Sequence, residues 1–439
     1  MDRVVVREIA WRDVFPWLVI FRTFGLAKSM PVLFLATVGA LATPLGWWAA
    51  ESLFLDDESI GRDPYFAQIV IRNHSWSGPS GGLAPPNDGR APNSLRDVFV
   101  TSPDCVQPIF QRFAQPLGHL IRTDVPVTRA AYFAFGWLWM LIVWGLLGGA
   151  IARIAAVKLG REESIGLGEA LGHARGKWVA HIVSPLFPLL LVALVALPIL
   201  LVGLLMRWDW GILLGGCLWI FVLMAGLIIA ILLLGLLFGW PLMWGTIASE
   251  ENGDAFEAFS RSYSYTFQRP LHYLFYATVA TFFGGLSWLL VYQFSEGVVF
   301  LAQWPASLGA GADRWADVAR DIDQPWSGSG LAVWGGGLIS LCVGLVRSVA
   351  TGFAYSLFWC LVTAIYLLLR QDVDQTEFDE VFVENEDRQY ILPPLDKNGA
   401  TNDEAAEGAA DTSPAPNKTM DPPKQSSSDS EGGEGASQV

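Results

Sequence analysis

Six uninterrupted apolar runs, at 29–50, 131–152, 179–206, 211–239, 271–295 and 348–369, constrain this chain more than any other feature. A helix rises 1.5 Å per residue, so about 20 apolar residues match a hydrocarbon layer of about 30 Å. A soluble protein of 439 residues can bury a large core without runs of that length. The sequence therefore predicts an all-α fold, a polytopic transmembrane bundle of six helices. Interfacial amphipathic helices and a disordered acidic C-terminal tail are expected to accompany it. Composition agrees, with 52% apolar and 16% charged residues.

The formal net charge of −14 has to be located before it means anything. Residues 371–439 hold 17 acidic and 4 basic side chains, while the preceding 370 hold 25 and 24. The acidity belongs to the tail, and nothing basic enough to suggest a nucleic-acid partner is left in the body. Four cysteines show no spacing of a metal knuckle or disulfide framework. Mixed charge ahead of the first run, and that run's length, argue against a cleaved signal peptide.

Basic residues near the crossings set orientation. Residues 1–28 carry five and 153–178 carry five, whereas the 207–210 turn carries only Arg207. The long 51–130 loop is expected outside, since such loops cross largely regardless of charge. Both termini are then cytoplasmic. Three units follow, 1–152, 153–240 and 241–370, each with an outward and a return crossing. Beyond the membrane domain (1–370) lie an acidic cytoplasmic segment (371–395) and a disordered tail (396–439). Val373, Phe378, Val381 and Phe382 are placed to dock that segment, as a helix, on the cytoplasmic face.

One short pattern occurs twice. Glu169-Ala170-Leu171 and Glu257-Ala258-Phe259 stand 88 residues apart, each just ahead of an apolar run. That spacing is one surface helix plus two crossings, as expected of a repeated unit. Asp254 with Glu257 forms a capping-box pattern; Gly166 holds the equivalent place in the first copy. Phe256, Phe259 and Tyr263 share one helix face, as in an interfacial helix. Candidate lipid-headgroup or partner contacts are Glu169, His173, Arg175, Lys177, Asp254, Glu257, Arg261 and Arg269.

The crossings hold no Asp, Glu, Lys or Arg apart from Arg347, and ionisable residues inside a bundle are the usual mark of ion-coupled transport; His181 and His272 stand at cytoplasmic ends of crossings. Counting back from Leu369 puts Arg347 at the outer interface, snorkelling into headgroups. The competing reading makes it a mid-bundle contact in a pore or interface. Residues 331–346 then lie along the interface or extend the helix. In the outer loop, Phe66–Arg72 reads as a strand or helix turn. Val106–Phe113 reads as an amphipathic helix against the outer surface. Paired glycines at 215–216 and 284–285 read as sites of close helix packing. No residue set has the spacing of a catalytic, cofactor or metal site.

The Asp254 to Ser262 pattern ahead of an apolar crossing resembles bacterial six-helix membrane domains of the Yip1-like type. It also resembles the membrane domain attached to some glycerophosphodiester phosphodiesterases. The match spans about 25 residues per copy and brings no catalytic domain, so that activity is not implied. The whole chain, with Ala364 to Arg370 and its acidic continuation, resembles planctomycete polytopic membrane proteins, which implies a bacterial inner membrane. The expected function is a non-enzymatic integral inner-membrane scaffold or partner-binding component, in contact with the lipid bilayer and with membrane or cytoplasmic proteins. The alternative is a transporter or channel for a neutral or lipidic substrate.

Overall fold

Every apolar run lies within a helix, apart from a residue at an end, and several helices far outlast the run that predicts them. A computed structural model describes residues 15–56, 63, 66–67, 69–70, 108–122, 125–323 and 330–383. After a 3-10 turn at Pro16–Leu18 come α1 (Val19–Ala27), α2 (Met30–Phe54), α3 (Pro108–Leu120) and α4 (Val127–Gly160). Then follow α5 (Leu167–Gly176), α6 (Trp178–Leu205), α7 (Asp209–Ser249) and α8 (Ala255–Gln268). The series ends with α9 (Pro270–Ala310), α10 (Ala312–Asp323) and α11 (Leu331–Asp374). No strand occurs among the described residues. Six helices, α2, α4, α6, α7, α9 and α11, are long and apolar enough to cross a membrane, which makes this an integral multi-pass membrane protein.

Hydropathy marks where a helix is greasy, whereas backbone hydrogen bonding decides where it stops. α9 therefore runs 15 residues past the predicted end at 295, and halts at Gly311, whose φ is +80°. In α11 the stretch 331–346 continues the crossing as one helix of 44 residues, about 65 Å long. That settles its course as a helix extension. The most apolar stretches of α6 and α7 are hardly buried, whereas those of α4 and α11 are mostly buried and form the centre of the bundle, which the second half of α7 joins.

Tryptophan fills that centre. Trp359 of α11 stacks on Trp244 of α7 with ring centroids 4.5 Å apart. Trp144 of α4 lies 6.2 Å from Trp359 and stacks on Tyr355 at 4.2 Å. Glycine lets such rings approach a neighbouring backbone. α2 and α4 do this reciprocally: Trp139 lies over Gly46, and Trp47 lies over Gly136. A Cβ on Gly136 would meet the Trp47 ring at 2.1 Å, so no larger residue fits there. Of the glycine pairs expected to pack closely, Gly284 meets Leu361 and Gly215 meets Met206, while Gly216 faces open space.

α3 corrects one expectation. Its apolar stripe is not laid against the outer surface but inserted among α4, α7 and α11. Phe113 stacks on Trp240 at 4.7 Å, and the Trp137 indole N–H donates to the Phe113 carbonyl at 3.1 Å. An amphipathic pattern tells which face is buried, but not whether lipid or protein buries it. Nearby, Phe66 is buried against Tyr132 and Phe133, and positions 66–67 and 69–70 are helical.

α5 and α8 occupy corresponding places, each linking two long helices. Ala170 and Ala258 are both fully buried. α8 folds back along α7: Gly253 touches Ile247, Ser262 lies beside Gly239, and Tyr263 covers Gly235. Its start is capped by Asp254, which accepts from the Glu257 N–H at 2.7 Å. At Gly166 no side chain does this for α5. Asp254→Ala is expected to lower stability by about 1 kcal/mol, read from unfolding in detergent. An effect below about 0.3 kcal/mol would remove the cap from the account.

Past Asp374 the chain leaves the helix at Gln375, which has φ +57°. The expected docking of 371–395 occurs as far as residue 383, through buried Val381; residues 371–374 end α11, and 375–383 follow an irregular path with a turn at 378–379 instead of a helix. Residues 384–439, including the expected tail, lie outside the described residues.

Candidate functional site

The end of α7 gathers most of the polar side chains. A helix leaves its last carbonyls without intrahelical partners, at the negative end of its dipole. Here five in succession are taken up from elsewhere. His173 Nε2 faces the Ile247 carbonyl at 3.4 Å, and Arg153 Nη1 donates to Ala248 at 2.9 Å. The Phe382 N–H donates to Ser249 at 3.2 Å. Lys177 Nζ donates to both Glu250 and Glu251 carbonyls at 2.7 Å.

One turn of side chains beyond, Glu250 is a hub. Its Oε1 lies 3.0 Å from Arg370 Nε and 3.3 Å from Arg261 Nη1, and accepts from the Tyr366 hydroxyl at 2.9 Å. Arg261 also reaches Glu257 at 2.8 Å and Asp374 at 3.5 Å. The Tyr265 hydroxyl donates to Asp374, and Arg370 Nη2 donates to the Glu380 carbonyl at 2.9 Å. Burial works against the Arg261 charge, but Glu250, with Tyr366 and Tyr265, outweighs it and raises the guanidinium pKa. Burial, and then the bond to Asp374, holds the Tyr265 phenol above its ordinary range. Both groups keep one protonation state through neutral pH, so the cluster is a fixed clamp between α7, α8 and α11.

Of the residues singled out in the sequence, His173, Lys177, Glu257 and Arg261 converge on this cap, and Asp254 closes the start of α8. Glu169, Arg175 and Arg269 are exposed instead. The sequence reading missed Arg153, Glu250, Tyr366, Arg370 and Asp374. Each sits near the cap-side end of a helix, where charge after an apolar run looks like ordinary solvation.

Arg347 is not alone. Its Nε and Nη2 bind the two carboxylate oxygens of Glu296 at 2.8 and 2.9 Å, a bidentate pair joining α9 to α11. Glu296 stands one residue past the predicted crossing, so the hydropathy reading set it aside. Its side chain is 8% exposed and that of Arg347 27%.

A third feature is apolar. Between α3, α7, α9 and α11 lies a cleft of about 440 Å³, a volume ordinary for a small-molecule site. Phe110, Phe238, Tyr273, Thr281, Trp288 and Phe358 are among its walls. The Tyr273 hydroxyl is engaged by the Phe238 carbonyl at 2.8 Å, which leaves ring carbon to line the space. The cleft opens sideways: rim residues Leu274 and Phe282 are 58% and 77% exposed, on helices whose outer faces are apolar. Arg347 does not line it. No group of three or more His, Cys, Asp or Glu that could hold a metal ion occurs among the described residues.

Comparison with protein-family models, with curated proteins and with solved structures found no match for this chain.

Proposed function

We propose that the protein is a non-enzymatic, ligand-binding component of a bacterial inner membrane, and that its ligand is a lipidic chain lodged in the apolar cleft. The sideways opening of that cleft onto lipid-facing helix surfaces carries the reading. A chain could enter from the bilayer without crossing water, and aromatic walls suit saturated carbon. The charge bias of the loops supports a cytoplasmic side for the polar cap and both termini.

Filling the cleft tests this. Thr281→Trp should remove lipid that co-purifies with the wild-type protein, as read by native mass spectrometry. Lipid added at about 100 times its Kd stabilises a protein by about 2.7 kcal/mol, and the variant should lose that gain. Unchanged lipid stoichiometry and unchanged stabilisation would sink the reading.

The scaffold reading rests on a separate observation. α5 turns Ala170, His173 and Ala174 inward and leaves Glu169 and Arg175 exposed, a charged face that packing does not use. The transport alternative gains the cleft, yet Arg347 is turned to Glu296 and away from it.

A further inference from the structure

We infer that the occupant of the cleft is a glycerophospholipid, with its phosphate against Arg347 and one acyl chain in the cleft; this rests on the lipid-binding reading above. Trp288 carries the connection. It lines the cleft on one side, and on the other it lines a small cavity with Tyr292, Glu296 and Arg347. From Trp288 to Glu296 is eight residues of α9, about 12 Å. The apolar and the charged features therefore lie about 12 Å apart on the same seam between α9 and α11, with Trp288 as the wall they share.

The charged end is asymmetric in the sense a phosphate requires. Glu296 is the buried member and Arg347 the half-buried one, so the surface meets the guanidinium first. No other Asp, Glu, Lys or Arg occurs on α9, where His272 lies at the opposite end, and on α11 none but Arg347 precedes Arg370. Beside them on the same helices Phe294 and Leu345 are exposed, at 72% and 54%, while Ser295 and Ser348 are buried. A cationic edge in an apolar, lipid-facing surface matches an amphiphile with an anionic group at one end. The guanidinium fork is suited to phosphate oxygens. Stability alone does not account for the pair, since apolar side chains of similar volume would hold two helices together as well.

The test titrates delipidated protein in detergent with phosphatidylethanolamine, and with diacylglycerol carrying the same chains, followed by native mass spectrometry. Wild type should prefer the phospholipid by about tenfold or more, the scale of a charge-assisted contact. The double variant Glu296→Gln with Arg347→Gln removes the contact without stranding a buried carboxylate. It should lose the preference and still bind diacylglycerol. Should it fail to fold, Glu296→Leu with Arg347→Met gives the same readout. A retained preference overturns the phosphate assignment and leaves the cleft reading standing. If Thr281→Trp leaves both lipids bound as in wild type, the cleft reading falls, and this inference falls with it.

Discussion

Glu250→Ala is expected to lower stability by about 3–5 kcal/mol, the cost of leaving a buried charge without its partner. Arg370 is the reason. Its side chain is 6% exposed, and Glu250 is the carboxylate beside it at 3.0 Å. Removing the carboxylate also strips acceptors from Tyr366 and Arg261. Glu251, the next residue, is exposed, and its alanine variant should stay within about 0.5 kcal/mol of wild type. Unfolding in mixed micelles reads both. Adding Arg370→Met to Glu250→Ala should recover at least about 1 kcal/mol relative to the sum of the single effects. Equal losses for Glu250→Ala and Glu251→Ala would show that the hub holds nothing together.

Trp359→Ala should cost a comparable 3–5 kcal/mol, the range for deleting a large buried ring. The ring is fully buried and meets Trp244, Trp240, Trp144 and Phe113, so its loss touches α3, α4 and α7 at once. Trp210 is the control. It is 62% exposed and stacks only on Trp208 near the start of α7, so its alanine variant should change little. The two variants are compared by thermal unfolding in one detergent, with near-ultraviolet circular dichroism as the second readout. A midpoint for Trp359→Ala within a degree of that for Trp210→Ala would remove the aromatic cluster from the account.

How much of this could be read beforehand depends on what carried the information. The six crossings were legible because solvation by lipid leaves a long local mark, and so was the Asp254 cap, which is settled within four residues. Contacts between distant segments were not. Glu250 reads as a charge following a hydrophobic run, and only the fold brings Arg261, Tyr366 and Arg370 around it. Glu296 and Arg347 lie 51 residues apart, and neither alone announces the other. His173 and Lys177 drew notice as basic residues beside a membrane; that they would cap another helix depends on where α7 ends. The apolar cleft leaves no sequence mark either, since Phe282 and Trp288 would be equally at home facing lipid.

The five carbonyls capped at and just past the end of α7 also bear on the order in which the protein can be completed. During synthesis from the N-terminus, Arg153, His173 and Lys177 are already made when α7 emerges, and can meet its end at once. The Ser249 carbonyl and the Glu250 carboxylate wait for Phe382 and Arg370, more than 100 residues later. Until then α7 has an open end and Glu250 lacks its buried cation. The last stretch of the membrane domain to leave the ribosome is thus the stitch that closes a joint begun two crossings earlier, and a chain halted before it would carry that joint unfinished.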